Sequence, residues 1–304
     1  MYDVVIIGSG AAGYAAAIYS VRYKLKTLVI GSQEGGQTAQ AHDVENYPGF
    51  ISIKGPELMK KFREHAIEYG VEVQNDEVTE IIQNSDGTFT LKRGISEATM
   101  TRSLILTVGT KTKKLGALGE KELDGKGITY CATCDGFFFR NKVTAIIGGG
   151  DSAATAALYL ADLCPKVYLI VRKEKMRAEP IWVGELEKRA NIQILYNSEV
   201  KQFHGTQKLE KIELTNGTLI EDVVGAFVEI GSTPNTTLVD KFGLEKDKGG
   251  FLIVNKDQST AVRGLYAAGD VTNLSNHFHQ IATAIGEGSI AANSVFEYLS
   301  SQKK

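Results

Sequence analysis

The sequence predicts an α/β protein of two Rossmann-like, three-layer ββα nucleotide-binding domains, the second inserted in the first. Three observations predict it. Two strand–glycine–helix units have the same length, a third glycine turn lies far downstream of both, and no low-complexity linker separates the pieces.

Residues 2–30 and 142–170 repeat one pattern. Each opens on a short apolar run, Val4-Val5-Ile6-Ile7 and Val143-Thr144-Ala145-Ile146-Ile147, which reads as a strand buried on both faces. A glycine cluster follows, Gly8-Ser9-Gly10-Ala11-Ala12-Gly13 and then Gly148-Gly149-Gly150-Asp151-Ser152-Ala153. An alanine-rich helical stretch comes next. A second apolar strand closes each unit, Thr27-Leu28-Val29-Ile30 and Val167-Tyr168-Leu169-Ile170. The spacing is equal, 30 − 8 = 22 and 170 − 148 = 22. Residues 4–21 are uncharged over a nominally membrane-spanning length, but Gly8, Ser9, Gly10 and Gly13 interrupt them. Strand, turn and helix is the better reading.

G-x-G-x-x-G/A between a strand and a helix has a physical task. Its first glycine makes the tight turn, its second lets backbone approach a pyrophosphate, and its third lets helix pack on strand. The phosphates then sit on the helix N-terminus. Two such motifs predict two dinucleotide sites. The candidate contacts are Gly8, Ser9, Gly10, Ala12 and Gly13 in the first, and Gly148, Gly150, Asp151, Ser152 and Ala153 in the second. Glu34, after the first unit, is placed to accept a ribose hydroxyl, as FAD or NAD requires. Arg172, Lys173 and Arg177, after the second, are placed to pair with a 2′-phosphate. The pair reads as FAD first and NADPH second. The third motif, Gly264-Leu265-Tyr266-Ala267-Ala268-Gly269-Asp270, precedes His279-Gln280-Ile281 and an Ala/Gly-rich helix. If it belongs with the first unit, that domain is split, and Thr107-Val108-Gly109 and Ile230-Gly231 mark the crossings.

Composition bounds the rest. A length of 304 residues suggests about two domains. With 43% hydrophobic and 23% charged residues, a disordered chain is excluded. Lys and Arg number 34 against 36 Asp and Glu, with no long basic stripe, so no nucleic-acid partner is expected. Three cysteines, an odd and sparse count, fit a reducing compartment, the cytoplasm, rather than a secreted scaffold. Neither a signal peptide nor a membrane anchor is expected.

Cys131-Ala132-Thr133-Cys134-Asp135 lies just before the second unit. A zinc site would need a second pair of ligands. The remaining Cys164 and the scattered His42, His65, His204, His277 and His279 supply none, so no metal is expected. A redox dithiol is the better reading, because two thiols three positions apart can close a small ring and exchange by thiolate attack. Asp135 beside them is a candidate proton donor and acceptor, or else a turn or cap residue. Of Phe137-Phe138-Phe139, only part can face inward on a regular element, leaving a patch for a partner.

In this order and spacing, these motifs, with Gly35-Gly36-Gln37, Glu45-Asn46-Tyr47-Pro48-Gly49 and Ala268-Gly269-Asp270, resemble the low-molecular-weight thioredoxin reductases over essentially the whole chain. The resemblance implies a homodimeric flavoprotein. FAD is bound by residues 1–112 and 243–304, and an inserted NAD(P)H domain, 113–242, carries the dithiol. It implies that Cys134 meets the flavin, Cys131 exchanges with the protein disulfide, and Asp135 is the acid/base. Gln37, Asn46, Val78, Gly109, Gly269, Asp270, Gln280 and Ile281 match FAD contacts. Ser152, Arg172, Lys173 and Arg177 match NADPH contacts, and Phe137 and Phe138 match positions that grip thioredoxin. The family alternates access to the flavin by rotating the inserted domain. The departures are Val171 and Lys173 in place of His and Arg, and His279 in place of Arg. They keep open a flavin disulfide reductase with another donor, ferredoxin or NADH.

Overall fold

The structure, a computed structural model, describes residues 1–41 and 43–302; the placement of His42 lies outside the described residues. The chain forms two compact units, residues 1–111 with 233–304, and residues 112–232. The strands Thr110–Thr112 and Ser232–Pro234 pair where the chain passes from one unit to the other.

In unit 1, Tyr2–Ile7 is the centre of a parallel sheet, flanked by Thr27–Ile30 and Thr99–Leu106. Glu72–Gln74 and Leu265–Ala267 add outer parallel strands. Phe89–Arg93 and Val78–Gln83 extend the sheet antiparallel. The alternation of a buried strand explains the layers. Val4, Ile6, Val29 and Ile105 pack with the helices Ala11–Arg22 and Ile281–Ser301. Val5, Ile7, Leu28, Ile30, Leu104 and Leu106 pack on the other face, with Ile81, Phe89 and Leu91 of the antiparallel strands. Residues 238–242, read from the sequence with the inserted part, pack here. Val239, Leu238 and Phe242 join the second of these clusters, so hydrophobic burial ties the segment to unit 1.

Unit 2 repeats the plan. Its parallel sheet runs in the order Ile192–Leu195, Lys166–Ile170, Val143–Ile147, Val223–Val228, Ile128–Thr129. Ile146 and Phe227 face the helices Asp151–Leu163 and Pro180–Glu187, while Ala145 and Ile147 face the antiparallel strands Val200–His204, Lys211–Leu214 and Leu219–Glu221. Both units are therefore α/β with a parallel nucleotide-binding sheet between a helical and an antiparallel layer. No helix among the described residues is long and apolar enough to cross a membrane.

Candidate functional site

The three glycines of the first turn are there for three different reasons. Gly8 has φ +118°, and a Cβ on it would lie 2.3 Å from Thr107 O. A Cβ on Gly13 would lie 2.0 Å from Gly8 O, so helix meets strand there without room for a side chain. Around a Cβ on Gly10, nothing lies within 4 Å. Gly10 is the N-cap of Ala11–Arg22 and has no side-chain cap, so it presents open space to the helix N-terminus. That is the cradle a pyrophosphate needs. Ser9 Oγ donates to Gln33 O at 3.0 Å, tying the turn to the segment before Glu34. Glu34 pairs with Arg63 Nε at 3.2 Å.

Parallel topology brings the other candidates to the same sheet edge, because the strand ends that precede them are neighbours. Gly109 follows Thr99–Leu106 with φ +57°, and Gly269 follows Leu265–Ala267 with φ +78°. A Cβ on Gly269 would meet Ala12 Cβ at 2.9 Å. Gln37 Nε2 donates to Thr110 O at 2.9 Å and to Thr110 Oγ1 at 2.5 Å. Asn46 Nδ2 donates to Gln280 Oε1 at 3.0 Å, and Gln280 caps the helix that begins at Ile281, in a box with Thr283. Val78 is buried and pairs with Arg93 in the antiparallel part of the sheet, beside a register shift. Burial pushes the Asp270 carboxyl up; His279 opposes this and Glu287 adds to it.

Glu287 is the residue that sequence reasoning missed here. It is 6% exposed, and its carboxylate accepts from Gly269 N–H at 2.8 Å, Thr272 Oγ1 at 2.8 Å and Ser275 Oγ at 2.7 Å. It fixes the Gly269–Asp270 turn from behind. The signal was available. Ala284, Gly288, Ala291 and Val295 form the buried stripe of Ile281–Ser301, and Glu287 is a charge on that stripe.

The second turn follows the same logic. A Cβ on Gly148 would lie 2.2 Å from Glu229 O, Gly150 has open space, and Ala153 is fully buried in the third position. Asp151 is already engaged, its Oδ1 accepting the Glu179 N–H at 2.7 Å. Ser152 is exposed beside it. Arg172, Lys173 and Arg177 are exposed after Lys166–Ile170, and Arg177 N–H donates to Gly149 O at 2.6 Å, closing this loop onto the glycine turn. Arg172 Nε lies 3.7 Å from Glu199, with both side chains largely exposed. Val171 is buried against the helices.

Cys131 and Cys134 form a disulfide. The strand Ile128–Thr129 delivers them to the same edge of unit 2 as the Gly148–Gly150 turn, because Val223–Val228 runs parallel to both neighbours. Cys134 N–H donates to Cys131 Sγ at 3.2 Å. Thr129 Oγ1 donates to Asp135 Oδ2, and Cys131 N–H donates to Thr129 Oγ1 at 3.4 Å. Thr129 thus links the acid to the dithiol. Tyr130 OH donates to Glu120 at 2.9 Å, and burial raises its pKa. Phe137 and Phe138 are 63% and 71% exposed, whereas Phe139 packs edge-on against Phe227. Cys164 is buried, and burial raises its thiol pKa.

The family model described as pyridine nucleotide-disulphide oxidoreductase matches residues 2–288. A thioredoxin reductase of Bacillus subtilis (strain 168) is 39% identical, covering 98% of this chain and 95% of that protein. The crystal structure of Lactococcus lactis thioredoxin reductase superimposes with a TM-score of 0.93 at 35% identity, over 99% of this chain and 100% of that one. That of T. acidophilum thioredoxin reductase gives 0.91 at 38% identity, over 97% and 98%. The family implies FAD and a nicotinamide nucleotide, and the two open glycine cradles fit two such groups. The chain belongs to the pyridine nucleotide-disulphide oxidoreductase family, in its low-molecular-weight thioredoxin reductase branch.

Proposed function

We propose that the protein reduces the disulfide of thioredoxin or a thioredoxin-like redoxin with electrons from NADPH, relayed through Cys131 and Cys134. The observation that carries this reading is the Cys131–Cys134 disulfide on the sheet edge that also holds a glycine cradle, with two exposed phenylalanines beside it. FAD, when bound, supplies two-electron transfer between a nicotinamide and a disulfide.

The chain's own residues do the rest. Gly8, Ser9, Gly10, Ala12, Gly13, Glu34, Gln37, Asn46, Val78, Gly109, Gly269, Asp270, Gln280 and Ile281 would hold FAD. Gly148, Gly150, Asp151, Ser152, Ala153, Arg172, Lys173 and Arg177 would hold NADPH. In the reduced state, the Cys131 thiolate attacks one sulfur of the partner disulfide. A Cys131–partner bond forms, the partner S–S bond breaks, and the released partner sulfur takes a proton. Cys134 then attacks Cys131 Sγ, re-forming the internal disulfide and releasing the second partner thiol. Asp135, held by the Thr129 hydroxyl, exchanges the protons. Phe137 and Phe138 supply an apolar surface for the redoxin. A homodimer working in the cytoplasm completes the reading.

Asp135→Asn is expected to slow redoxin reduction by roughly 10²–10⁴-fold, the range for loss of a general acid–base group. Steady-state rates and a melting curve check it. An unchanged rate with a lowered melting temperature would make Asp135 a turn residue instead.

The donor is tested by anaerobic stopped-flow bleaching with NADPH, NADH and reduced ferredoxin in turn. NADPH is expected to be favoured over NADH at least about tenfold, since one charge-assisted contact to a phosphate contributes roughly 1.5–3 kcal/mol at best. The exposure of Arg172 and its pairing with Glu199 make that preference salt-sensitive. Arg172→Ala with Arg177→Ala should nearly erase it. Equal rates with NADH and NADPH would reduce the basic cluster to a solvated turn. Bleaching by ferredoxin alone would select the other donor.

A further inference from the structure

In unit 2 the chain leaves Lys166–Ile170 into an exposed basic loop and returns to the glycine turn before the helix Pro180–Glu187. The two ends of this loop are held by different partners. At the first end, Ser198 N–H donates to Val171 O at 3.1 Å and Asn197 N–H donates to Lys173 O at 3.2 Å, so the chain at Arg172 and Lys173 is tied to the segment after Ile192–Leu195. At the second end, Arg177 N–H donates to Gly149 O at 2.6 Å, and Glu179 N–H donates to Asp151 Oδ1 at 2.7 Å. Ala178, between these two donors, is buried in the same cluster as Ala153 and Val171. Asp151 is the first residue of the helix Asp151–Leu163, directly after Gly150. A carboxylate suits the dipole of a helix N-terminus, but it repels the phosphates that the same turn must receive. Its contribution therefore lies in what it holds.

We propose that Asp151 is a positioning residue for nucleotide specificity. By accepting the Glu179 N–H it pins the Arg177 end of the basic loop to the glycine turn, and so presents Arg177 to the 2′-phosphate that separates NADPH from NADH. The inference rests on the reading of this cradle as the NADPH site.

The physical reason is preorganisation. Arg177 is exposed, and a guanidinium ordered only on binding gives back part of its contact as lost backbone and rotamer freedom. A single bond from Arg177 N–H to Gly149 O leaves the chain a pivot. The second bond, two residues on, removes that pivot before the nucleotide arrives. Arg172 does not depend on this bond, because the chain there is tied at the other end of the loop. Asp151 therefore acts through Arg177 and not through Arg172.

The test is calorimetric titration of the oxidised, FAD-loaded protein with adenosine 2′,5′-bisphosphate and with 5′-AMP, whose affinity ratio reads the 2′-phosphate alone. Wild type is expected to favour the bisphosphate about tenfold or more. Asp151→Ala should cut that ratio roughly 3- to 10-fold by its effect on the bisphosphate, without weakening 5′-AMP. Asp151→Asn keeps an acceptor oxygen for the Glu179 N–H and should keep the ratio. Glu179→Pro removes the donor and leaves Asp151 in place; Glu179 has φ −55°, which proline shares. It should lower the ratio as Asp151→Ala does. In an Arg177→Ala background Asp151→Ala should change the ratio no further, whereas in an Arg172→Ala background its full effect should remain. Equal weakening of both ligands by Asp151→Ala would make Asp151 a direct contact to their shared part and overturn the proposal. A lowered melting temperature with an unchanged ratio, in Asp151→Ala or in Glu179→Pro, would overturn it as well. Those outcomes leave the NADPH reading standing. A wild type that does not separate the two ligands would overturn that reading, and the proposal with it.

Discussion

Cys131→Ser and Cys134→Ser should each bring redoxin reduction down to the uncatalysed background, about 10⁶-fold or more below a typical enzymatic rate. Exchange needs one thiolate to attack and a second to resolve the mixed disulfide, and a serine hydroxyl does neither at neutral pH. The same variants test the geometry. In the folded, dithiothreitol-reduced protein, an aromatic disulfide reagent should react quickly with two thiols in wild type and one in either variant. Cys164 is 4% exposed, and its thiol donates to Phe139 O at 3.3 Å, so it should react only on unfolding. Turnover at the wild-type rate in either variant would remove the dithiol from the pathway.

Gly10→Val and Gly13→Val should fail in opposite ways. Nothing in the protein meets a Cβ on Gly10, and its φ of −85° suits any residue. The Gly10 variant should fold within about 1 kcal/mol of wild type, the loss of a favourable N-cap residue, and yet purify without flavin colour. Its side chain would occupy the space into which the pyrophosphate must come. At Gly13 a Cβ would lie 2.0 Å from Gly8 O, which is backbone and cannot step aside. That variant should lose about 3 kcal/mol of stability whether or not flavin is present. Urea unfolding and visible absorbance separate the two. A yellow Gly10→Val protein with normal FAD affinity would move the cofactor away from this turn.

Much of the site is written locally. Strand, glycine turn and helix follow one another within residues 2–22 and 143–163, so their periodicity and backbone chemistry are legible without knowing the fold. The same holds for Cys131–Cys134, whose bond spans three positions. The segment 238–242 was harder to assign, because its apolar residues suit either unit until the partners Ile81 and Val254 are known.

The sequence by itself determined the fold class, the repeated glycine turns and the dithiol, because the pattern of each is carried by residues close together in the chain. Only the tertiary structure decided what the carboxylates do. Glu287 holds Gly269 across 18 positions, and Asp151 caps the turn at Glu179 across 28. It also decided that Phe139 turns inward while Phe137 and Phe138 stay exposed. The partner of a buried polar group is set by which distant strands become neighbours, and hydrophobic packing of the whole sheet makes that choice.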